Sequence, residues 1–284
     1  MQSRTSFIRT RCGCGISRRG MMAAALGAAA TPVWLKAGRL EAAPASAGTP
    51  DPAVVDDLVT ANHILYDQGV VDGFGHVSVR HDKDPNRYLL ARSMAPALVT
   101  ADDVMEFDLD SVAVDARGRT PYLERFIHGE IYKVRPDVLA IVHSHSPAVI
   151  PFADTDIALR PMNHIAGFLG DGVPVFEIRS AGGPATDMLI RNSMLGQALA
   201  AQLGPHQVVL MRGHGSVAVG PSLRHVVYRA IYTEVNARME AEALAMGGHP
   251  MFLNDAEAAA AAKTNDGLVD RPWQLWKQRV TPKL

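Results

Sequence analysis

The chain has 284 residues, 48% of them hydrophobic and 20% charged, with a formal net charge of −1. That length and polarity describe a soluble globular chain and exclude a disordered or multi-pass membrane protein. The near-neutral sum conceals an asymmetry. Residues 1–47 carry seven basic side chains against Glu41 alone, or +6, and the remaining −7 leaves the body no global electrostatic reason to bind nucleic acid.

In the leader, Ser17-Arg18-Arg19-Gly20 precedes an apolar stretch ending near Leu35, then small residues around Ala43-Pro44-Ala45 and Ala45-Ser46-Ala47. Charged, apolar and small-residue regions in that order are the layout of a cleavable secretory signal, and the apolar part is too short to span a bilayer comfortably. The paired arginines resemble the twin-arginine signal of bacteria. Residues 1–47 are therefore expected to be removed on export to the periplasm, without stable membrane insertion afterwards, leaving 48–284 as one domain. The alternative is a leader that does not function, with the protein cytoplasmic, or an uncleaved arm or anchor. Both cysteines, Cys12 and Cys14, lie in this leader, so the rest of the chain has no disulfide framework.

Asp51-Pro52 then signals a helix start, with Leu58, Ala61, Ile64 and Leu65 at helical spacing and Gly69 closing the run. Residues His76–His81 alternate as a strand, and Arg87–Ala91 is a second extended piece. A helix is expected over Glu124–Arg135, stopped by Pro136, and a buried strand over Val138–Val142, ending at His143. Further helices are expected over Thr186–Leu203 and Ser222–Met246, with strands Gln207–Met211 and Ser216–Val219 between them. A short helix is expected over Ala258–Ala262, and Trp273 and Trp276 fall in a tail. The pattern is α/β.

All eleven histidines follow residue 47. His143 and His145 are two apart at a strand end, so both rings project from one face. His214 closes another apolar strand between Gly213 and Gly215, whose missing side chains allow a tight turn beside the ring. Three imidazoles with an open position suit a catalytic Zn²⁺ or another first-row divalent ion. Taken singly, each motif reads equally as a hydrogen-bonded or turn histidine; the joint occurrence favours a metal. Glu124 opens the helix that feeds the His143 strand and could be a fourth ligand, a general base, or an ordinary first-turn carboxylate. His128 follows one helical turn later and could orient Glu124, touch substrate, or pack.

Gly75-His76-Val77-Ser78, Glu124, Arg135-Pro136-Asp137, Val142-His143-Ser144-His145 and Arg212-Gly213-His214-Gly215, in this order, resemble the class II aldolase/adducin family over most of residues 52–246. The resemblance implies a three-layer α/β/α sandwich around a central, mostly antiparallel sheet. It implies one divalent metal ion per subunit, Zn²⁺ or Mn²⁺, on His143, His145 and His214, with Glu124 as acid/base and resting ligand. It further implies a homotetramer with sites between subunits, where a C-terminal segment such as that bearing Trp273 could close the site.

Sugar-phosphate aldolases of the family carry small phosphate-cradling residues where this chain has His76, Arg92-Ser93-Met94-Ala95-Pro96 and Tyr122-Leu123. Those changes disfavour a sugar phosphate and resemble the branch that decarboxylates hydroxypyridine dicarboxylates and dihydroxyphthalates. Arg92, Arg125, His76, His128, His164 and the aromatic Tyr122 are the expected contacts to a small-molecule diacid, since arginine can hold a carboxylate through two parallel hydrogen bonds. The implied chemistry is loss of CO2 from an ortho-hydroxy aromatic or pyridine acid through a metal-stabilised enolate. Alternatives are an aldolase acting on a non-phosphorylated hydroxy-carbonyl compound, and a non-catalytic adducin-like binding module.

Overall fold

Asp51 accepts the Ala53 N–H at 2.8 Å, and the proline after it has no N–H to leave unsatisfied, so helix α1 (Pro52–Asp67) begins where the sequence signals it. The computed structural model describes residues 44–247 and 249–281. The twin-arginine motif, the apolar leader segment and both cysteines lie outside them. Among the described residues no helix is long and apolar enough to cross a membrane.

After α1 come strands β1 (His76–Arg80), β2 (Arg87–Ala91) and β3 (Val104–Asp108), helix α2 (Phe126–Val134), β4 (Ala140–Ser144) and a helical turn, α3 (Ile150–Ala153). The chain continues through β5 (Val175–Phe176), α4 (Arg179–Gly182), α5 (Ser193–Leu203), β6 (Val208–Met211), β7 (Gly215–Gly220), α6 (Leu223–Ala245), α7 (Asp255–Asp266) and α8 (Asp270–Val280). Seven strands form one sheet in the order β3-β2-β1-β4-β7-β6-β5. Every pairing is antiparallel except that of β5 with β6.

Alternation along the strands sorts the core into two halves. Val77, Ala140, Val142, Leu210 and Ala218 face α1, α6 and α8, where Leu58, Ile64, Val227 and Ile231 bury their side chains. Tyr88, Ile141, Val209, Val217 and Val219 face α2 and α5, packing on Ile127, Ile131, Leu195 and Leu199. This is the expected α/β/α sandwich. Because Ile141 belongs to the second half, His143, two residues on, points its ring to the α2 side as well.

Three local expectations change. Helix α5 starts at Ser193, because the Asn192 side chain accepts the Leu195 N–H at 3.0 Å; residues 186–191 are a loop in which Met188 takes a positive φ of 72°. The strand after α2 starts at Ala140 and extends through Ser144. The C-terminal tail is helical, and both Trp273 and Trp276 are buried in the core beside α1 and α6.

Candidate metal centre and adjoining cavity

Three pairings gather the donors. Strand β4 lies between β1 and β7, with His143 opposite His76 on one side and Val217 on the other. The turn joining β6 to β7 reverses at Gly213, whose φ of 62° is left-handed and suits glycine, and this returns His214 beside the end of β4. Glu124 comes from the 3-10 turn Leu123–Arg125 at the start of α2, on the same face.

The four side chains converge, each offering one ligand atom, all within 4.8 Å of one another. His145 Nε2 lies 3.0 Å from the Nε2 atoms of both His143 and His214. Glu124 Oε2 lies 3.4 Å from His143 Nε2, 3.3 Å from His214 Nε2 and 4.0 Å from His145 Nε2.

Backbone groups orient this set from behind. His143 Nδ1 donates to the Ser216 carbonyl at 3.1 Å and His214 Nδ1 to the Met188 carbonyl at 2.9 Å, since a carbonyl can only accept. In the neutral rings both Nε2 atoms therefore carry bare lone pairs. Glu124 Oε1 accepts the Ile190 N–H at 2.8 Å, which turns Oε2 toward the histidines. Lone pairs and a carboxylate aimed at one point repel unless a proton or cation lies between them, so the donor set fits a divalent ion.

Without a cation, a proton shared with these rings takes its place: burial raises the Glu124 carboxyl, but the resulting hydrogen bonds and charge from His143 and His214 outweigh it and hold the group well below the usual carboxylate range. Burial first, then His143 and His214, pull the His145 ring down to about 4.

A cavity of about 270 Å³ opens over Glu124 and His145. Phe74, His76, Tyr122, Met94 and Leu189 form apolar and aromatic walls, with Ser93 as a small polar contributor. Tyr122 donates its hydroxyl to the Met94 carbonyl, and burial pushes that phenol up to about 12. Its ring packs 4.6 Å from that of His76.

Of the expected substrate contacts, His76 and Tyr122 line this cavity and the others do not. Arg92 is turned to Asp103, with Nε 2.6 Å from the carboxylate. Arg125 donates to the Ser111 carbonyl at 2.8 Å and the Tyr122 carbonyl at 3.1 Å, and stacks on Phe126. Both arginines are thereby taken up in holding loops together. His128 is fully buried behind His76, out of reach of a ligand, and burial and the nearby His143 lower its ring to about 3. His164 is exposed at the head of a 3-10 turn that α7 covers, where its carbonyl accepts from Asn265 Nδ2. Sequence reasoning missed Phe74, Leu189 and the backbone groups of Met188, Ile190 and Ser216. The backbone groups have no side-chain signature; the exposed Phe74 beside Gly73 and Gly75 was the one readable signal.

Residues 56–241 match the Class II Aldolase and Adducin N-terminal domain. The chain is 37% identical over 248 residues to Decarboxylase tropJ of Talaromyces stipitatus, covering 80% of this chain and 93% of that protein. It is 31% identical over 211 residues to a 3,4-dihydroxyphthalate decarboxylase of Terrabacter sp., covering 70% and 85%. Its fold matches an aldolase II superfamily protein from Pseudomonas syringae with a TM-score of 0.68 at 19% identity, covering 80% of this chain and 92% of that one. The chain belongs to the class II aldolase and adducin family and is an enzyme homologous to decarboxylases.

Proposed function

We propose that this enzyme decarboxylates an ortho-hydroxy aromatic acid of the dihydroxyphthalate type. The observation that carries the reading is the cluster of Glu124, His143, His145 and His214, of which Glu124 and His145 face a cavity walled by Phe74, His76 and Tyr122. Flat aromatic and apolar walls suit a planar ring, whereas a sugar phosphate needs a cradle of small donors. An adducin-like binding role has no chemical use for four convergent ligands.

His143, His145, His214 and Glu124 would hold a divalent ion, which supplies Lewis-acid stabilisation of negative charge when bound. Glu124, charged at rest and released from the hydrogen bonds of His143 and His214 when those rings turn to an ion, would take the proton of the ring hydroxyl beside the leaving carboxylate. As that carboxylate departs as CO2, its bonding electron pair stays on the ring carbon, and Glu124 returns its proton there. Solvent then protonates the ring oxygen. The apolar walls exclude water from the carbon that must receive the Glu124 proton.

The test is to offer the zinc- or manganese-loaded enzyme 3,4-dihydroxyphthalate, other hydroxy-aromatic acids and hydroxy-carbonyl compounds, assaying CO2 and aldehyde separately. CO2 with a ring-protonated product supports the reading; aldehyde without CO2 overturns it in favour of an aldolase. A homotetramer and export to the periplasm belong to the same proposal, and sedimentation and cell fractionation test them.

A further inference from the structure

Behind the cavity wall a chain of hydrogen bonds runs from His76 into the core. His76 Nδ1 lies 2.7 Å from His128 Nε2, His128 Nδ1 lies 2.6 Å from Ser78 Oγ, and Ser78 Oγ lies 2.8 Å from the Tyr132 hydroxyl. All four residues are buried, and Tyr88 stacks on the His128 ring.

With one proton on each neutral group, the chain can run in two directions. Run inward, His76, His128 and Ser78 donate in turn, and Tyr132 is left with the Leu139 carbonyl at 3.4 Å, an oxygen that already accepts the Arg80 N–H at 2.8 Å. That last bond is too long to satisfy a buried hydroxyl well. Run outward, Tyr132 donates to Ser78, Ser78 to His128 Nδ1, and His128 Nε2–H to His76 Nδ1, so every internal proton lies in a short bond. The Arg80 guanidinium, 4.6 Å from the centre of the Tyr132 ring, favours the phenol as donor.

The outward direction leaves the proton of His76 on Nε2, the nitrogen free for a ligand at the cavity wall. Among the described residues no lysine or arginine lines that cavity, and Glu124 repels a second carboxylate from its floor. A vicinal diacid therefore needs a donor elsewhere on the wall.

We propose that Tyr132, Ser78 and His128 act as positioning residues that hold His76 as a neutral Nε2–H donor, and that this donor binds the carboxylate which a vicinal aromatic diacid keeps when its neighbour leaves. The substrate class rests on the decarboxylase reading; the direction of the chain does not. Nitrogen-15 NMR of the zinc-loaded full chain, with His76→Gln to assign the signals, is expected to show His76 protonated at Nε2 and bare at Nδ1. His76→Leu should lower kcat/KM for 3,4-dihydroxyphthalate by about 10- to 100-fold, the worth of a hydrogen bond to a charged group. Ser78→Ala should impair the wild-type background and add little in the His76→Leu background, whereas Ser78→Thr, keeping the hydroxyl, restores activity. A purely structural role would give additive losses. His76 protonated at Nδ1, or additive losses, overturns the proposal. If the wild type releases no CO2 from any hydroxy-aromatic acid, the decarboxylase reading fails while the NMR result still judges the chain.

Discussion

The backbone N–H of Ile190 donates to Glu124 Oε1 at 2.8 Å, and this bond turns the other carboxylate oxygen toward His143 and His214. In Glu124→Gln the carbonyl oxygen takes the Ile190 bond, so the amide NH₂ faces lone pairs meant for a cation. The variant is expected to fold, to bind metal about 10- to 100-fold more weakly, and to turn over at least about 100-fold more slowly even at saturating metal. Equilibrium dialysis and CO2 release measure the two effects. Near-normal turnover would remove Glu124 from the proton transfer.

Burial also makes the site sensitive to acid. His128 is held down at about 3 by burial and His143, and His145 at about 4, against an ordinary histidine value of 6.5. Between those values the unfolded chain binds protons that the folded chain does not, so metal-free protein is fully stabilised above pH 6.5 and loses stability as pH falls toward 4. The Glu124 carboxyl, lowered on folding, adds stability that is lost only below its ordinary value of 4.5, so the histidines set the fall above pH 5. Thermal unfolding of the metal-free protein should therefore fall from pH 7.5 to pH 5; an unchanged or higher Tm at pH 5 contradicts this. Adding a divalent ion at about a hundred times its Kd should contribute about 2.7 kcal/mol at neutral pH.

Much of the site was legible because its chemistry sits on side chains with regular spacing. His143 and His145 project from one face of a strand end, and His214 stands between glycines at another. The family resemblance named Glu124 and anticipated the sheet. Less legible was everything that depends on where a long side chain turns. Arg125, next to Glu124, reads as a clamp for a diacid, yet its donors go to carbonyls of Ser111 and Tyr122. Residues 186–191 read as helix because nothing local shows that their backbone serves Glu124 and His214 instead. The tryptophans read as part of an irregular tail because their burial against α1 joins residues some 200 positions apart.

Arg125 separates the two readings of a cationic residue beside the site. Arg125→Gln removes donors that hold the Ser111 loop and is expected to destabilise the protein by about 1–3 kcal/mol. KM for the diacid should stay within about threefold of wild type, because the guanidinium does not line the cavity. Denaturant unfolding and steady-state kinetics on the same preparation check both. A KM raised by tenfold or more with unchanged stability would restore Arg125 as a carboxylate clamp.

Gly215 tests whether the metal centre depends on the close pairing of β4 with β7. A Cβ at this position would collide with the Ser144 carbonyl oxygen and crowd the His145 backbone, at the point where the register sets Ser144 opposite Ser216. The obstacle is backbone, so it cannot swing aside as a side chain would. Gly215→Ala must therefore push the β6–β7 turn away from the end of β4, carrying His214 from His143 and His145. Crowding of this kind costs about 1–3 kcal/mol, and the loss of convergence should weaken metal binding about tenfold or more. Gly118, at an exposed turn with φ of 75° and open space around it, is the control: Gly118→Ala strains the backbone and lowers stability without moving a ligand. Metal affinity should fall in the first variant and hold in the second. Equal affinity in both would show that the histidines converge without support from the β4–β7 contact.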